Sequence, residues 1–378
     1  MVGVSTRASG GSGRRRSPDP RRPDPRPRGA RLPAEPVGPV RFAGLLSSGG
    51  RFALLLAAAA LVAALVGAGI SQPPVVAGLE ESPAIVRLGI PLFRTLVDLG
   101  AVTVAGLALL SRMLGFDQPE RTEPVMRRAR PIAVWASLVW AVAAFVSIVL
   151  LAWEIGGSFP GPAQLWAYLS NIPAGKGLLL SGLCGLASFW LARLSLRHGE
   201  KVPAELRAGV ALFGLLPLPL TGHASNWYWH DLAMVSMELH VVAATAWAGG
   251  LAAVVIFLAG QPDLLALALP RFSKLATWCV FIVALTGLFN GLVELSLSPI
   301  TSLPWNLFTT YYGVLLVGKL VCMAIVAATA SVVRFRLLPR IAAGRRTAVA
   351  LWCGVELLVL ALAYGIAVAL TRAPVTPF

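Results

Sequence analysis

Long apolar runs govern what this chain can become. Nine segments, near residues 52–70, 91–112, 131–153, 175–196, 207–222, 233–258, 273–296, 310–334 and 349–371, approach the ~20 apolar residues that a helix needs to cross a bilayer. Hydrophobic residues make up 57% of the 378 and charged residues 13%, a balance foreign to soluble domains of this size. Inside hydrocarbon a backbone must satisfy its own hydrogen bonds. The expected fold is therefore all-α, a polytopic transmembrane helix bundle of about nine spans. The fifth segment is short and ends in LLPLPLTG, where Pro217 and Pro219 forbid regular helix. Its outer end is expected to be irregular backbone lining a cavity.

The net charge of +15 suggests a nucleic-acid partner until its distribution is considered. Basic residues crowd the N-terminal stretch and alternate loops. Arg112, Arg121, Arg127, Arg128 and Arg130 follow the second segment, and Arg193, Arg197, Lys201 and Arg207 follow the fourth. Arg271 and Lys274 follow the sixth, and Arg334, Arg336, Arg340, Arg345 and Arg346 follow the eighth. The opposite loops offer Arg87, Arg94, Lys176 and Arg372. This is the footprint of membrane topology, and it excludes nucleic acid as the expected partner in favour of lipid. The positive-inside rule places the N-terminus in the cytoplasm and the C-terminus outside a cytoplasmic membrane. Residues 1–50, rich in Arg, Pro, Gly and Ser, are expected to be a disordered cytoplasmic tail rather than a cleavable signal peptide. Residues 51–215 form a first group of membrane helices, 216–374 a second membrane region, and 375–378 a short outer tail.

Of four histidines, three fall in residues 221–251, TGHASNWYWHDLAMVSMELHVVAATAWAGGL. In the expected topology His223 and His230 sit at the outer surface, and His240 lies about 7–12 Å below the outer end of the sixth segment. Met234, Met237 and His240 follow one another at three-residue spacing and share a helix face. Thioether sulfur favours Cu(I), and imidazole accepts either copper oxidation state. His223, His230, His240, Met237 and Met234 are thus the candidate metal ligands, with Asp231 and Glu238 as supporting polar groups. Plainer readings stand beside this one. An interfacial histidine such as His230 is as often a hydrogen-bonding surface residue, and a single methionine is usually core filler. His240 and Glu238 resist that reading, because ionisable groups inside a membrane helix are costly and mark function.

Other polar residues lie within apolar segments. Arg94 and Asp98, four apart, are expected to neutralise each other near the outer end of the second segment. Lys319 and Glu356 are expected to pair between the last two segments, as structural glue or as part of an ion path. Asn290 lies near the outer end of the seventh segment. Lys319, Glu356 and Asn290 join Glu238 and Asp231 as candidate coupling groups. Cys184, Cys279, Cys322 and Cys353 each lie inside an apolar run without a C-x-x-C pair, which points to packing.

Several motifs occur in order and together resemble one family. LHVVAATAWAGGL (Leu239–Leu251) resembles the H-x-x-x-x-x-x-W-x-G-G-L motif of the CopD copper-resistance membrane proteins. RFSKLATWCVFIVALTGLFN (Arg271–Asn290) resembles that family's R-F-S-x-x-A … T-G-x-x-N segment. Lys319, Arg334 and VELLVLALAYGIAVALTRAP (Val355–Pro374) resemble its K … R … V-E-L … L-T-x-x-P ending, and GHA at 222–224 also fits. The match covers about residues 220–374, in an actinobacterial-type form without a fused CopC-like domain. The resemblance implies copper, as Cu(I) or Cu(II), moving across the cytoplasmic membrane, usually inward, with an extracytoplasmic carrier of the CopC type as partner. It implies a role in copper homeostasis and resistance rather than catalysis, and no ATP-binding motif or catalytic triad occurs in the chain. Two alternatives remain at this stage. One is a haem b-binding membrane redox protein, holding haem between histidines such as His223 and His240. The other is a copper-binding scaffold that aids oxidase maturation.

Overall fold

A computed structural model describes residues 48–72, 82–221, 230–296, 302–342 and 348–377. The elements in chain order are α1 (Ser48–Ile70), α2 (Ala84–Leu114), α3 (Pro119–Gly156), α4 (Pro162–Asn171), α5 (Pro173–His198), α6 (Ala204–Phe213), α7 (His230–Leu258), α8 (Pro262–Ser296), α9 (Asn306–Thr309), α10 (Tyr311–Val332), α11 (Leu338–Ala342) and α12 (Val349–Leu370). A π-helical stretch, Val333–Leu337, joins α10 to α11 into one rod spanning 311–341. Among the described residues eight helices are long and apolar enough to cross a membrane, and the fold is an all-α polytopic bundle. The N-terminal stretch 1–47 lies outside the described residues.

The helices run farther than their apolar cores. α3 starts at Pro119, so Arg121, Arg127, Arg128 and Arg130 ride on helix rather than on a loop. α8 starts at Pro262 and carries Arg271 and Lys274, leaving a short turn after α7. Hydropathy marks the part of a helix that fits lipid; the backbone ladder continues into water, where charged side chains are cheap. Proline at the first turn suits both starts, since that position needs no amide donor.

The fifth expected span is broken. α6 stops at Phe213, a run of turns follows, and Leu218–Thr221 is a single 3-10 turn. Pro217 and Pro219 remove amide donors from this stretch, as the sequence requires. The segment nonetheless passes from one end of the bundle to the other. At its start Arg207 reaches Ser111 and Glu200, beside the Arg112–Glu205 pair and the Arg271 to Met113 carbonyl bond of 2.7 Å. At its far side Pro217 packs on Gly177, at the opposite end of α5 from Glu200. Among the described residues eight helices are complete and this one segment is interrupted. Gly49 packs against Ile256 near the Arg271 end, whereas Arg372 binds Glu154 at 2.7 Å at the other end of α3. Arg130 and Glu154 are separated by about 36 Å of helix, enough for a hydrocarbon core of ~30 Å.

Two apolar clusters share α2. One packs α2 residues Val97, Ala101 and Val104 against α3, α5 and the broken segment; the other packs Leu107, Leu110 and Met113 against α7, α8 and α12. The two halves meet where Gly106 of α2 crosses Gly249 of α7. A Cβ on Gly106 would lie 2.2 Å from the Gly249 carbonyl oxygen, and one on Gly249 would lie 2.4 Å from the Val102 carbonyl oxygen. Neither backbone can retreat without separating the helices. Gly106→Ala is expected to lower the melting temperature of the detergent-purified chain by a destabilisation of about 1–3 kcal/mol or more. Gly209→Ala, in open space on α6, is expected to leave it unchanged or slightly raised.

Candidate functional site

The N-terminal half of α7 presents its polar groups at helical spacing. His223 lies outside the described residues, and His230 opens α7 with its side chain outside them as well. Asp231 is exposed; Met234, Met237 and Glu238 are half-buried. Ser236 and His240, four apart, are both buried at 8% exposure. Because α7 begins at His230, His240 lies about 15 Å along the helix, deeper than the apolar run alone indicates.

α8 supplies partners for this buried face. His240 Nδ1 lies 3.0 Å from Thr286 Oγ1, and that hydroxyl lies 2.5 Å from the Ile282 carbonyl oxygen. The carbonyl can only accept, so the single hydroxyl proton goes to Ile282. Thr286 must then accept from His240, which places a proton on Nδ1. In the neutral imidazole the other nitrogen, Nε2, then carries the lone pair that a metal requires, and the Val283 carbonyl also lies within reach of the ring. Gly287 makes room for the ring, since a Cβ there would lie 3.0 Å from His240 Cε1. One turn outward, Asn290 Nδ2 donates to Ser236 Oγ at 3.1 Å and to the Thr286 carbonyl at 2.8 Å. The T-G-x-x-N segment is thus Thr286 positioning His240, Gly287 admitting its ring, and Asn290 tying α8 to α7.

Lys319 and Glu356 do not pair as expected. The Lys319 ammonium is near enough to act on His240, and it has no ion-pair partner among the described residues. Glu356, 4% exposed, lies beside the Trp247 indole instead. The two residues lie at different depths: Gly318, beside Lys319, packs level with Ile366 of α12, ten residues and about 15 Å along the helix from Glu356. Arg94 and Asp98 do pair, at 3.4 Å. Asp98 lies about 21 Å along α2, hence mid-bundle rather than near the outer end, and its charge reaches Tyr364. Tyr364 and Thr245 hydroxyls stand 3.5 Å apart.

Among the described residues no three His, Cys, Asp or Glu side chains converge as a metal-holding group. Outside that description α7 also carries two thioethers, Met234 and Met237, two and one three-residue steps before His240, which with the imidazole are soft donor types. Thr286 and Ser236 were not singled out by sequence reasoning. Thr286 stood in plain view inside the T-G-x-x-N segment, but hydroxyl residues in membrane helices usually bond their own i−4 carbonyl, so nothing in the sequence marked it as a histidine partner.

Comparison with known proteins gives a consistent picture. Residues 84–231 match the family described as Copper resistance protein D-like, N-terminal domain, and residues 266–370 match Copper resistance protein D. His240 lies between the two matches. The chain is 26% identical over 282 residues to Copper resistance protein D of Pseudomonas syringae pv. tomato, covering 68% of this chain and 84% of that protein. No solved structure matches the chain.

The α7–α8 ladder makes an energetic prediction. Asn290→Leu removes the donor to Ser236 and the second bond to the Thr286 carbonyl, which keeps its helical partner, and is expected to cost about 1–3 kcal/mol in a detergent melt. Ser236→Ala should cost about 0.6–1 kcal/mol. Combined, the two should cost less than their sum; strict additivity would show that the contact carries no coupling energy.

Proposed function

The chain belongs to the CopD copper-resistance family, and on that premise we propose that it binds copper at the outer half of α7 and moves it inward across the cytoplasmic membrane. The observation that carries this reading is the Thr286–His240 contact. It holds a buried imidazole with Nδ1 engaged and Nε2 presented as a ligand, in a bundle where a polar side chain is costly unless used.

Copper arrives from outside, handed over by a carrier of the CopC type. His223 and His230 receive it at the surface, beside Asp231. Met234, Met237 and His240 then take it along one face of α7. The ion is Cu(I) at this stage, because thioether sulfur and imidazole with few ligands suit it and hard-ligand competitors are poorly served. Glu238 lies on the same stretch and offsets cationic charge. Below His240, Lys319 stands as a positive charge beside the path, and the Trp247–Glu356 pair lies deeper. The inner end is the cytoplasmic one, in keeping with the basic residues gathered there, and Arg372 is extracytoplasmic. The role is copper homeostasis or resistance, without a catalytic step.

The test uses the purified chain, first in detergent and then in liposomes. Wild type is expected to bind Cu(I) and admit it; His240→Ala should bind and admit far less. Thr286→Val keeps the imidazole but loses its acceptor, and should weaken Cu(I) affinity by about 10–100-fold in a chelator competition. Copper entry unaffected by His240→Ala would overturn the path. A Soret band at one haem per chain would replace it with the haem reading.

A further inference from the structure

One charge stands beside His240 without serving as a ligand. Asn306 Nδ2 donates to the Leu295 carbonyl at 2.8 Å, which ties the end of α8 to the start of α9 and α10 and sends α10 back along α8. Near that connection a Cβ on Gly291 would lie 3.0 Å from Leu316 Cδ2, so α10 packs on the glycine face of α8. One turn farther from the connection, the same faces continue at Gly287 on α8 and at Lys319 on α10. Gly287 is where the His240 ring enters, with Cε1 3.0 Å from a Cβ built there. α7 and α10 thus flank two glycines of α8, one bringing an imidazole and the other an ammonium.

Among the described residues no carboxylate pairs with that ammonium, although Lys319 is half-buried and lies about 12 Å into an apolar helix. Glu356 is about 15 Å along α12 from the residue that packs on Gly318. Glu294 is about 10 Å along α8 from Gly287, back toward the connection, and acts on Tyr312. Glu238, two residues before His240, is turned about 200° around α7 from it. An uncompensated charge within a membrane helix is costly and marks function. Here its field falls on the His240 ring.

We propose that Lys319 is a valence filter for the His240 site: its fixed positive charge admits monovalent copper and turns divalent ions away. This rests on the reading of His240 as a copper ligand. Repulsion between a fixed charge and an ion is proportional to the charge of the ion. A divalent ion therefore meets twice the repulsion that Cu(I) meets, at any separation and in any dielectric. In affinity, doubling an energy squares the factor. Imidazole also accepts Cu(II) and Zn(II), so His240 by itself does not separate the valences. The ammonium supplies the discrimination that the ligand lacks.

Chelator competition on the full-length detergent-purified chain tests this, with Cu(I) and Zn(II) as the probes. His223→Ala and His230→Ala are present throughout, so that surface histidines do not enter the titration. Lys319→Leu removes the charge and adds no metal donor. It is expected to raise Cu(I) affinity by about 10-fold and Zn(II) affinity by about 100-fold. Each gain is a ratio to the same ion's affinity with Lys319 in place, so ligand preference cancels. Lys319→Gln, neutral but polar, should give the same two-to-one ratio of logarithmic gains, and Lys319→Arg should give none. Adding His240→Ala should abolish the gain for both ions. Equal gains for the two ions, no gain, or a gain that survives His240→Ala would overturn the filter and leave the copper site standing. Failure to bind Cu(I) with Lys319 in place would overturn the copper site and the filter together.

Discussion

The close crossing of α2 and α7 at Gly106 and Gly249 is the contact on which the other arrangements depend. In lipid the hydrophobic effect does little to hold one apolar helix against another, so helix association relies on close packing and on polar contacts between helices. Two glycines let these backbones approach until a carbonyl oxygen occupies the place of a side chain. α2 belongs to both apolar clusters, and α7 carries the buried histidine. Their crossing therefore fixes the first helix group against the second. It also sets the rotation of α7, and with it the direction in which Ser236 and His240 face.

That rotation turns a row of costly side chains into a satisfied ladder. Ser236 and His240 meet Asn290 and Thr286 on α8, so that Ser236 Oγ and His240 Nδ1 find partners where lipid would offer none. Farther in, Trp247 meets Glu356, and the Arg94–Asp98 pair lies near Tyr364. The W-x-G-G-L stretch serves three packing ends at once. Trp247 answers Glu356, Gly249 admits α2, and Gly250 fits against Met113 and Phe272. The inner end is organised differently, by ion pairs among Arg130, Glu123, Glu200 and Arg207. Those pairs anchor the broken pass, whose own backbone cannot hold a continuous helix past Phe213.

The fold was legible to a large degree because its cause is local. Apolar runs of bilayer length, the Pro217 and Pro219 interruption, and the alternation of basic loops act without reference to the rest of the chain. Helix limits were less legible. The arginines of α3 and the start of α8 lie beyond the lipid-fitting core, where hydropathy no longer reports helix. Within the site, His240 stood out because a histidine in a membrane segment demands an explanation. Thr286 did not, because a threonine there normally needs none. The Lys319–Glu356 expectation failed because the packing of α10 on α12 sets Lys319 level with Ile366, about 15 Å along α12 from Glu356, and a position within an apolar run does not reveal that offset.

The sequence by itself determined the class of fold, the interruption of the fifth apolar segment and the gathering of histidine and methionine on one stretch. Each follows from composition and spacing along a single segment. Only the tertiary structure decided which side chains meet. It gave His240 a threonine for its Nδ1 proton, separated Lys319 from Glu356, and joined two buried arginines through Glu200. Contacts of this kind depend on how each helix is rotated against its neighbours, and that rotation is set by close packing summed over the whole bundle.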